Sequence, residues 1–141
     1  MSIFDNAPII SAYTREQAIA DGVLVDLMQP DTVQAVREAG FKFPIAMTSA
    51  AFEAAVWPIE NETADEWLAS QGQDFQGRLW DVLNLLRVAI RQHPGDTDIL
   101  RFQVSVIDFE SKRRRTVNLK SVCGPNDDGS PCVTIMMNDE D

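Results

Sequence analysis

The sequence contains little histidine and cysteine, with one His and two Cys among its 141 residues. A single chain therefore cannot assemble His and Cys ligands around a metal ion, and we expect neither a metal site nor a cofactor. No apolar run approaches the roughly 18 residues that a membrane-spanning helix needs. Residues 1–10 have neither the basic nor the apolar region of a signal peptide. A membrane protein is therefore not expected.

Basic residues are scarce too, since 12 Lys+Arg face 22 Asp+Glu and leave a formal net charge of −10. A protein that holds DNA by its phosphates needs a net basic face, so this charge argues against non-specific nucleic-acid binding. The sequence also has no recognisable nucleophile motif and no phosphate-binding loop. We therefore expect a protein that is not an enzyme.

The length and an apolar content of 45% suit a single domain, residues 1–141, with its own core. The first two-thirds are rich in helix signals and the last third in strand signals, and there is no internal repeat. This segregation predicts an α+β fold. We expect residues 1–12 to form an extended N-terminal arm and residues 138–141 to form an acidic tail.

The longest predicted helix, at about 76–92, has apolar residues at helical spacing: Leu79, Val82, Leu83, Leu86, Ala89 and Ile90. Its apolar arc is wide enough for packing on two sides, so we expect it at the centre of the core. The last third predicts an antiparallel three-stranded β-meander at 99–109, 116–123 and 132–137, whose apolar face contacts this helix. Asp108 falls at the end of that apolar face.

Smaller elements are predicted from caps and breakers. The expected helix N-caps are Thr14, paired with Gln17 in a capping box; Asp31; and Thr63, paired with Glu66 in a second box. Residues 23–27 predict a short strand. Residues 41–45 contain Pro44 and predict an edge strand or an extended connector.

Between Glu53 and Asp74 the chain has six acidic residues and no basic one. The expected partner-binding patch in this segment comprises Glu60, Glu62, Asp65, Glu66 and Asp74. Clustered on one face, these carboxylates would imitate DNA phosphates and attract a basic partner surface. The alternative is structural, because Asp65 and Glu66 would lie in the first turn of a helix capped by Thr63, where the helix dipole favours anions.

The basic run of the chain comprises Lys112, Arg113, Arg114 and Arg115. It is predicted at the tip of a β-hairpin, where it would contact phosphate or an acidic partner. The alternative is a solvated turn that prevents edge-to-edge aggregation. No aromatic residue interrupts the run, so base stacking is not expected there.

Three further features have structural and functional interpretations. Residues 126–130 are similar to a calcium loop but lack its length and its closing Glu, so a hairpin loop fits better. Cys123 and Cys132 flank this loop and could face each other, although we expect reduced thiols that serve packing. Arg78 and Asp81, beside Trp80 on the long helix, could form a buried polar network or part of a site.

Four segments carry a family resemblance: Ile10–Ala18 with Asp21–Asp26, Arg37–Pro44, Gln76–Leu83, and Gly124–Pro131 with Thr134–Met136. They resemble a family of small uncharacterised bacterial proteins often carried on plasmids and other mobile elements. The resemblance spans about residue 9 to the C-terminus. It implies a bacterial cytoplasm and a mobile element, but no catalytic residues. Accessory proteins of such elements often counter host defence, which is an analogy.

Three functions follow as hypotheses. The leading one is a non-enzymatic protein that binds a macromolecular partner, specifically an acidic inhibitor of a CRISPR or restriction complex. The second is an accessory protein that binds nucleic acid through residues 112–115. The third is an enzyme with an unfamiliar site built from Asp, Glu and Arg. An exposed edge strand or tryptophan patch could also make a dimer.

Overall fold

The computed structural model of the chain describes residues 14–58, 61–93 and 98–140. Within these ranges the fold is mixed α+β, as expected, with five helices around one five-stranded sheet. None of the helices in these ranges is long and apolar enough to cross a bilayer. The expected N-terminal arm, residues 1–12, lies outside the described residues.

The helices are α1 (Arg15–Ala20), α2 (Val33–Glu38), α3 (Ser49–Ala51, continued by a π-helical turn at Phe52–Val56), α4 (Glu62–Ser70) and α5 (Phe75–Gln92). The strands are β1 (Leu24–Asp26), β2 (Ile45–Thr48), β3 (Ile99–Asp108), β4 (Arg113–Pro125) and β5 (Pro131–Met137).

The sheet has the strand order β1-β2-β5-β4-β3. The antiparallel pairings of β3 with β4 and of β4 with β5 agree with the predicted meander. The prediction of a sheet with only three strands was wrong, because β2 pairs with β5 in parallel and β1 pairs with β2 in antiparallel orientation. Ile45, Ala46 and Met47 are all buried, so β2 shows none of the alternation that marks a half-exposed strand.

The long helix was correctly expected at the centre of the core. Leu79, Val82, Leu83 and Leu86 of α5 are 0% exposed. They belong to one apolar cluster with the inward side chains of β3 and β4, such as Val104 and Leu119, and with residues of α2 and α3. The helix is therefore held between the sheet and the other helices.

Two of the predicted helix caps were wrong, although the capping box at Thr14 is confirmed. The second helix is preceded by Thr32 instead of Asp31, and the Thr32 hydroxyl donates to the carbonyl oxygen of Leu27 (2.6 Å) instead of capping the helix. The fourth helix is capped by Asn61, whose side chain accepts from the backbone N–H of Ala64 (3.0 Å). Its N-cap is thus two residues earlier than predicted.

The acidic loop between β4 and β5 attaches α1 to the sheet. The Asp127 carboxylate accepts from the backbone N–H groups of Arg15 (2.9 Å) and Glu16 (3.0 Å). The Arg15 guanidinium donates to Thr134 Oγ1 (2.6 Å) and to the carbonyl oxygen of Val133 (2.9 Å). The hydrogen bonds of Asp127 thus give this loop a structural role.

The two cysteines lie on opposite faces of the sheet. Cys123 is paired with Val133 and Gly124 with Cys132, so the cysteines occupy successive register positions. Successive positions of a strand point to opposite faces, and both thiols are free. Burial raises the pKa of the Cys132 thiol, as suits a side chain that serves packing.

We expect Asp127→Ala to lower the free energy of unfolding by about 1 kcal/mol, because it removes an anion that satisfies two helix-terminal N–H groups. Urea unfolding measures this loss. Asp139→Ala is the control, since Asp139 is exposed and lies outside α1 and its loop. Equal stability of the two variants would show that the loop does not secure α1.

Candidate functional site

A pocket of about 380 Å³ lies between α3, α4, α5, the end of β3 and the start of β4. Five of its lining residues are charged: Glu53, Arg78, Asp108, Glu110 and Arg115. A larger cavity of about 520 Å³ lies beside the C-terminal end of α5. We place the candidate site in the smaller pocket because it brings together the buried Arg78 and the ion pair between Asp108 and Arg115.

Arg78 lies in the first turn of α5 and is only 6% exposed. Its Nη2 donates to the carbonyl oxygen of Ala54 over a long 3.4 Å, and its guanidinium carbon lies 5.7 Å from the centre of the Trp57 ring. Its Nε is buried without a hydrogen-bond partner among the described residues. Burial lowers the pKa of Arg78, while the negative charges of Asp108 and Asp81 oppose this effect.

The π-helical turn after α3 places Ala54 and Trp57 against Arg78. The backbone N–H of Trp57 donates to the carbonyl oxygen of Phe52, five residues earlier (3.0 Å). This wider turn is rare in helices and is found frequently at functional sites. The pocket is therefore bordered by a backbone irregularity as well as by charged side chains.

Asp108 lies at the end of β3 and interacts electrostatically with both Arg115 and Arg78. Its Oδ2 accepts from the backbone N–H of Ser111 (2.9 Å), and its Oδ1 is 3.7 Å from Nη1 of Arg115. Burial alone would raise the pKa of Asp108, but the hydrogen bonds from Ser111 and the charges of Arg115 and Arg78 outweigh it and lower the pKa. Asp108 is therefore a carboxylate at neutral pH.

The basic run does not form one tip. Lys112 is in the turn with φ 60°, and its ammonium nitrogen lies 3.4 Å from the centre of the Phe109 ring and 4.4 Å from that of Trp67. Arg113, Arg114 and Arg115 belong to β4, where alternation sends Arg114 to the face opposite Arg115. Arg115 lines the pocket, whereas Arg114 donates to Ser105 Oγ (3.1 Å).

In the acidic segment between Glu53 and Asp74, some carboxylates make structural hydrogen bonds, whereas others are exposed. Asp65 accepts from the indole Nε1 of Trp57 (2.5 Å), and Asp74 caps α5 by accepting from the backbone N–H of Gly77 (2.5 Å). Glu62 and Glu66 are both exposed and lie one turn apart on α4. Glu60 lies outside the described residues. Partner binding by any of these residues stays a prediction.

The pocket itself was not predicted from the sequence. The sequence suggests Arg78 as part of a site, but the residues that surround it in the pocket are distant in the chain. One signal pointed to Asp108, because it continues the apolar face of β3 after Val104 and Val106. A charged residue on an inward face needs a partner there. Within the described parts of the chain, no group of three or more His, Cys, Asp or Glu residues could hold a metal ion.

Comparison with known proteins identifies a family but no activity. The family model described as "Family of unknown function (DUF6573)" matches residues 1–141. No curated protein and no solved structure matches the chain. The expectation of an uncharacterised family is thereby confirmed.

Asp65→Ala should destabilise the protein by about 1–2 kcal/mol, because it leaves the indole N–H of Trp57 without its acceptor. Glu66→Ala is the matched control one residue along the same helix. It removes an exposed carboxylate that repels Glu62, so its effect should stay within about 0.5 kcal/mol. Urea unfolding followed by tryptophan fluorescence compares them, and equal losses would contradict a structural role of Asp65.

The lowered pKa of Asp108 predicts a pH-dependent contribution to stability. A carboxyl with a folded pKa below its unfolded value of about 3.9 stabilises the protein fully above that value and loses this effect as the pH falls through the folded pKa. We therefore expect Asp108→Asn to be less stable than the natural chain at pH 7, by a margin that shrinks toward pH values of about 3. A margin that is constant between these pH values would contradict the assignment.

Proposed function

This chain belongs to the DUF6573 family of unknown function, and from its own residues we propose that it is a small acidic, non-enzymatic protein that binds a macromolecular partner. The observation that carries the proposal is its unneutralised negative charge. The formal net charge is −10. Within the described ranges, the one ion pair joins Arg115 and Asp108. Among the described residues, most carboxylates thus have no described cationic side chain within 4 Å and can attract a basic partner.

The acidic surface, which we define as Glu53, Glu62, Glu66 and Glu110, is the part of the molecule that suits such a partner best. All four side chains are exposed. Glu53 and Glu110 line the pocket, and Glu62 and Glu66 lie on α4. Asn61 links the two pairs, because it both lines the pocket and caps α4. Like charges one helical turn apart cost a few tenths of a kcal/mol. A basic partner would remove that cost and associate faster because of the attraction.

A specific form of the proposal is an inhibitor of a host complex that handles nucleic acid, of the CRISPR or restriction type. Such complexes hold nucleic acid in positively charged channels. The net charge of −10 supports this form. The resemblance to proteins of bacterial mobile elements supports it by analogy and also underlies the proposed cytoplasmic location.

The alternative of nucleic-acid binding through residues 112–115 has weaker support. Lys112 contacts two aromatic rings, Arg115 is near Asp108, and Arg114 is on the other face of the strand. A mobility-shift assay at low salt decides it. Replacement of all four basic residues by Ala should abolish any shift if this alternative holds, and no shift by the natural chain would eliminate it.

One form of the enzyme alternative uses Asp108 as a general acid. The lowered pKa of Asp108 does not suit that role, which needs a pKa near the working pH. This form of the enzyme alternative therefore has weaker support than non-enzymatic binding.

We expect Glu62→Gln with Glu66→Gln to weaken binding to a purified CRISPR or restriction complex by at least about tenfold, mainly through slower association. Biolayer interferometry at several salt concentrations measures the rates. The matched control is Glu38→Gln with Asp139→Asn, which makes the same charge change at exposed positions elsewhere. Binding that is unaffected by the first pair, or equally reduced by both, would contradict a role of the acidic surface.

A further inference from the structure

The guanidinium of Arg78 has more hydrogen-bond donors than the described residues satisfy. A guanidinium has five N–H donors. The one hydrogen bond from this side chain to a described residue is the 3.4 Å contact with Ala54, and Nε has none. A buried charged group that lacks acceptors is costly, so the Arg78 donors that face the pocket favour an acceptor beyond those of the described residues, whereas Nε itself is too enclosed for a ligand to reach.

Asp108 does not fill this need. Its two carboxylate oxygens are directed toward Ser111 and Arg115, and no hydrogen bond joins it to Arg78. The negative charge of Asp108 reduces the cost of burying the Arg78 guanidinium, but Asp108 accepts no hydrogen bond from it. The 3.7 Å separation of Asp108 from Nη1 of Arg115 is also longer than a hydrogen bond, and the Arg115 side chain is 46% exposed. Two guanidinium groups with spare donors therefore line one pocket.

The acids of the same pocket restrict the ligand. Glu53 and Glu110 are exposed together with Arg115, whereas Arg78 is buried, so two carboxylates lie toward solvent around an inner guanidinium group. A highly charged anion such as a phosphate would meet these carboxylates on entry. A ligand with a carboxylate at one end and a cation beside it would satisfy both kinds of group.

Apolar residues complete the lining, among them Ala54, Pro58 and Phe109, which are partly exposed. A volume of about 380 Å³ lies within the range of small-molecule sites. The pocket is therefore suited to a small zwitterion that also has an apolar side chain.

We propose that this pocket binds a free amino acid with an apolar side chain. Its carboxylate accepts hydrogen bonds from Arg78 and Arg115, its ammonium group lies near Glu53 and Glu110, and its side chain contacts Ala54, Pro58 and Phe109. This site shares Glu53 and Glu110 with the acidic surface, but the groups that bind the carboxylate, Arg78 and Arg115, lie outside that surface.

Calorimetric titration of the full chain tests the ligand chemistry with L-leucine and L-phenylalanine as probes. At least one should bind with a Kd of about 1 mM or tighter. L-Leucinamide lacks the carboxylate and N-acetyl-L-leucine lacks the ammonium group, and each should bind at least about tenfold more weakly than leucine. Absence of binding by both amino acids, or equal binding of leucine and its amide, would overturn the proposal.

Two variants test the residues. Arg115→Met should weaken amino-acid binding by at least about tenfold, whereas Arg114→Met, on the opposite face of the same strand, should leave it unchanged. Arg78→Lys keeps the charge but loses the fork of donors, and it should also weaken binding. Unchanged affinity in both Arg115→Met and Arg78→Lys would overturn the assignment. Glu62→Gln with Glu66→Gln should leave this binding intact, which separates amino-acid binding from the part of the acidic surface that lies on α4.

Discussion

The burial of α5 on two sides is the constraint on which the rest of the structure depends. Leu79, Val82, Leu83 and Leu86 are 0% exposed between the sheet and the other helices. Burial of each such side chain contributes roughly 1.5–3 kcal/mol to folding stability, so the face that α5 turns toward the core is strongly determined. Arg78 precedes this apolar face directly and is therefore carried into the interior, where few acceptors reach it.

The electrostatics of the molecule follow from this placement. One buried cation, Arg78, lies in a pocket whose exposed residues include Glu53, Glu110 and Arg115, on a chain with a formal net charge of −10. Asp108 stays ionised because Ser111 and two arginines outweigh its burial. We propose two different recognition features on this chain: an acidic surface for a basic partner, and a small open pocket for a ligand that accepts hydrogen bonds from Arg78 and Arg115.

Patterns with a strong period could be predicted from the sequence, whereas features that depend on tertiary contacts could not. The six apolar positions of α5 and the long alternation of β3 are local signals, and both elements form as expected. The four residues of β2 are too few and too uniformly buried to show a period. The cap at Asn61 competes in sequence with an equally plausible capping box at Thr63. The pocket required the fold, because Arg78, Asp108 and Arg115 come from three elements.

The central claim is that the buried guanidinium of Arg78 is charged and lacks a complete set of acceptors in the ligand-free protein. Nitrogen–proton NMR of its Nε–Hε group tests this directly, with the exposed Arg114 as an internal reference. We expect slow exchange with water, because the group is buried, together with a proton shift typical of a group without a hydrogen bond. Exchange as fast as that of Arg114, or a through-bond coupling from Nε–Hε to an acceptor of the protein, would contradict the account.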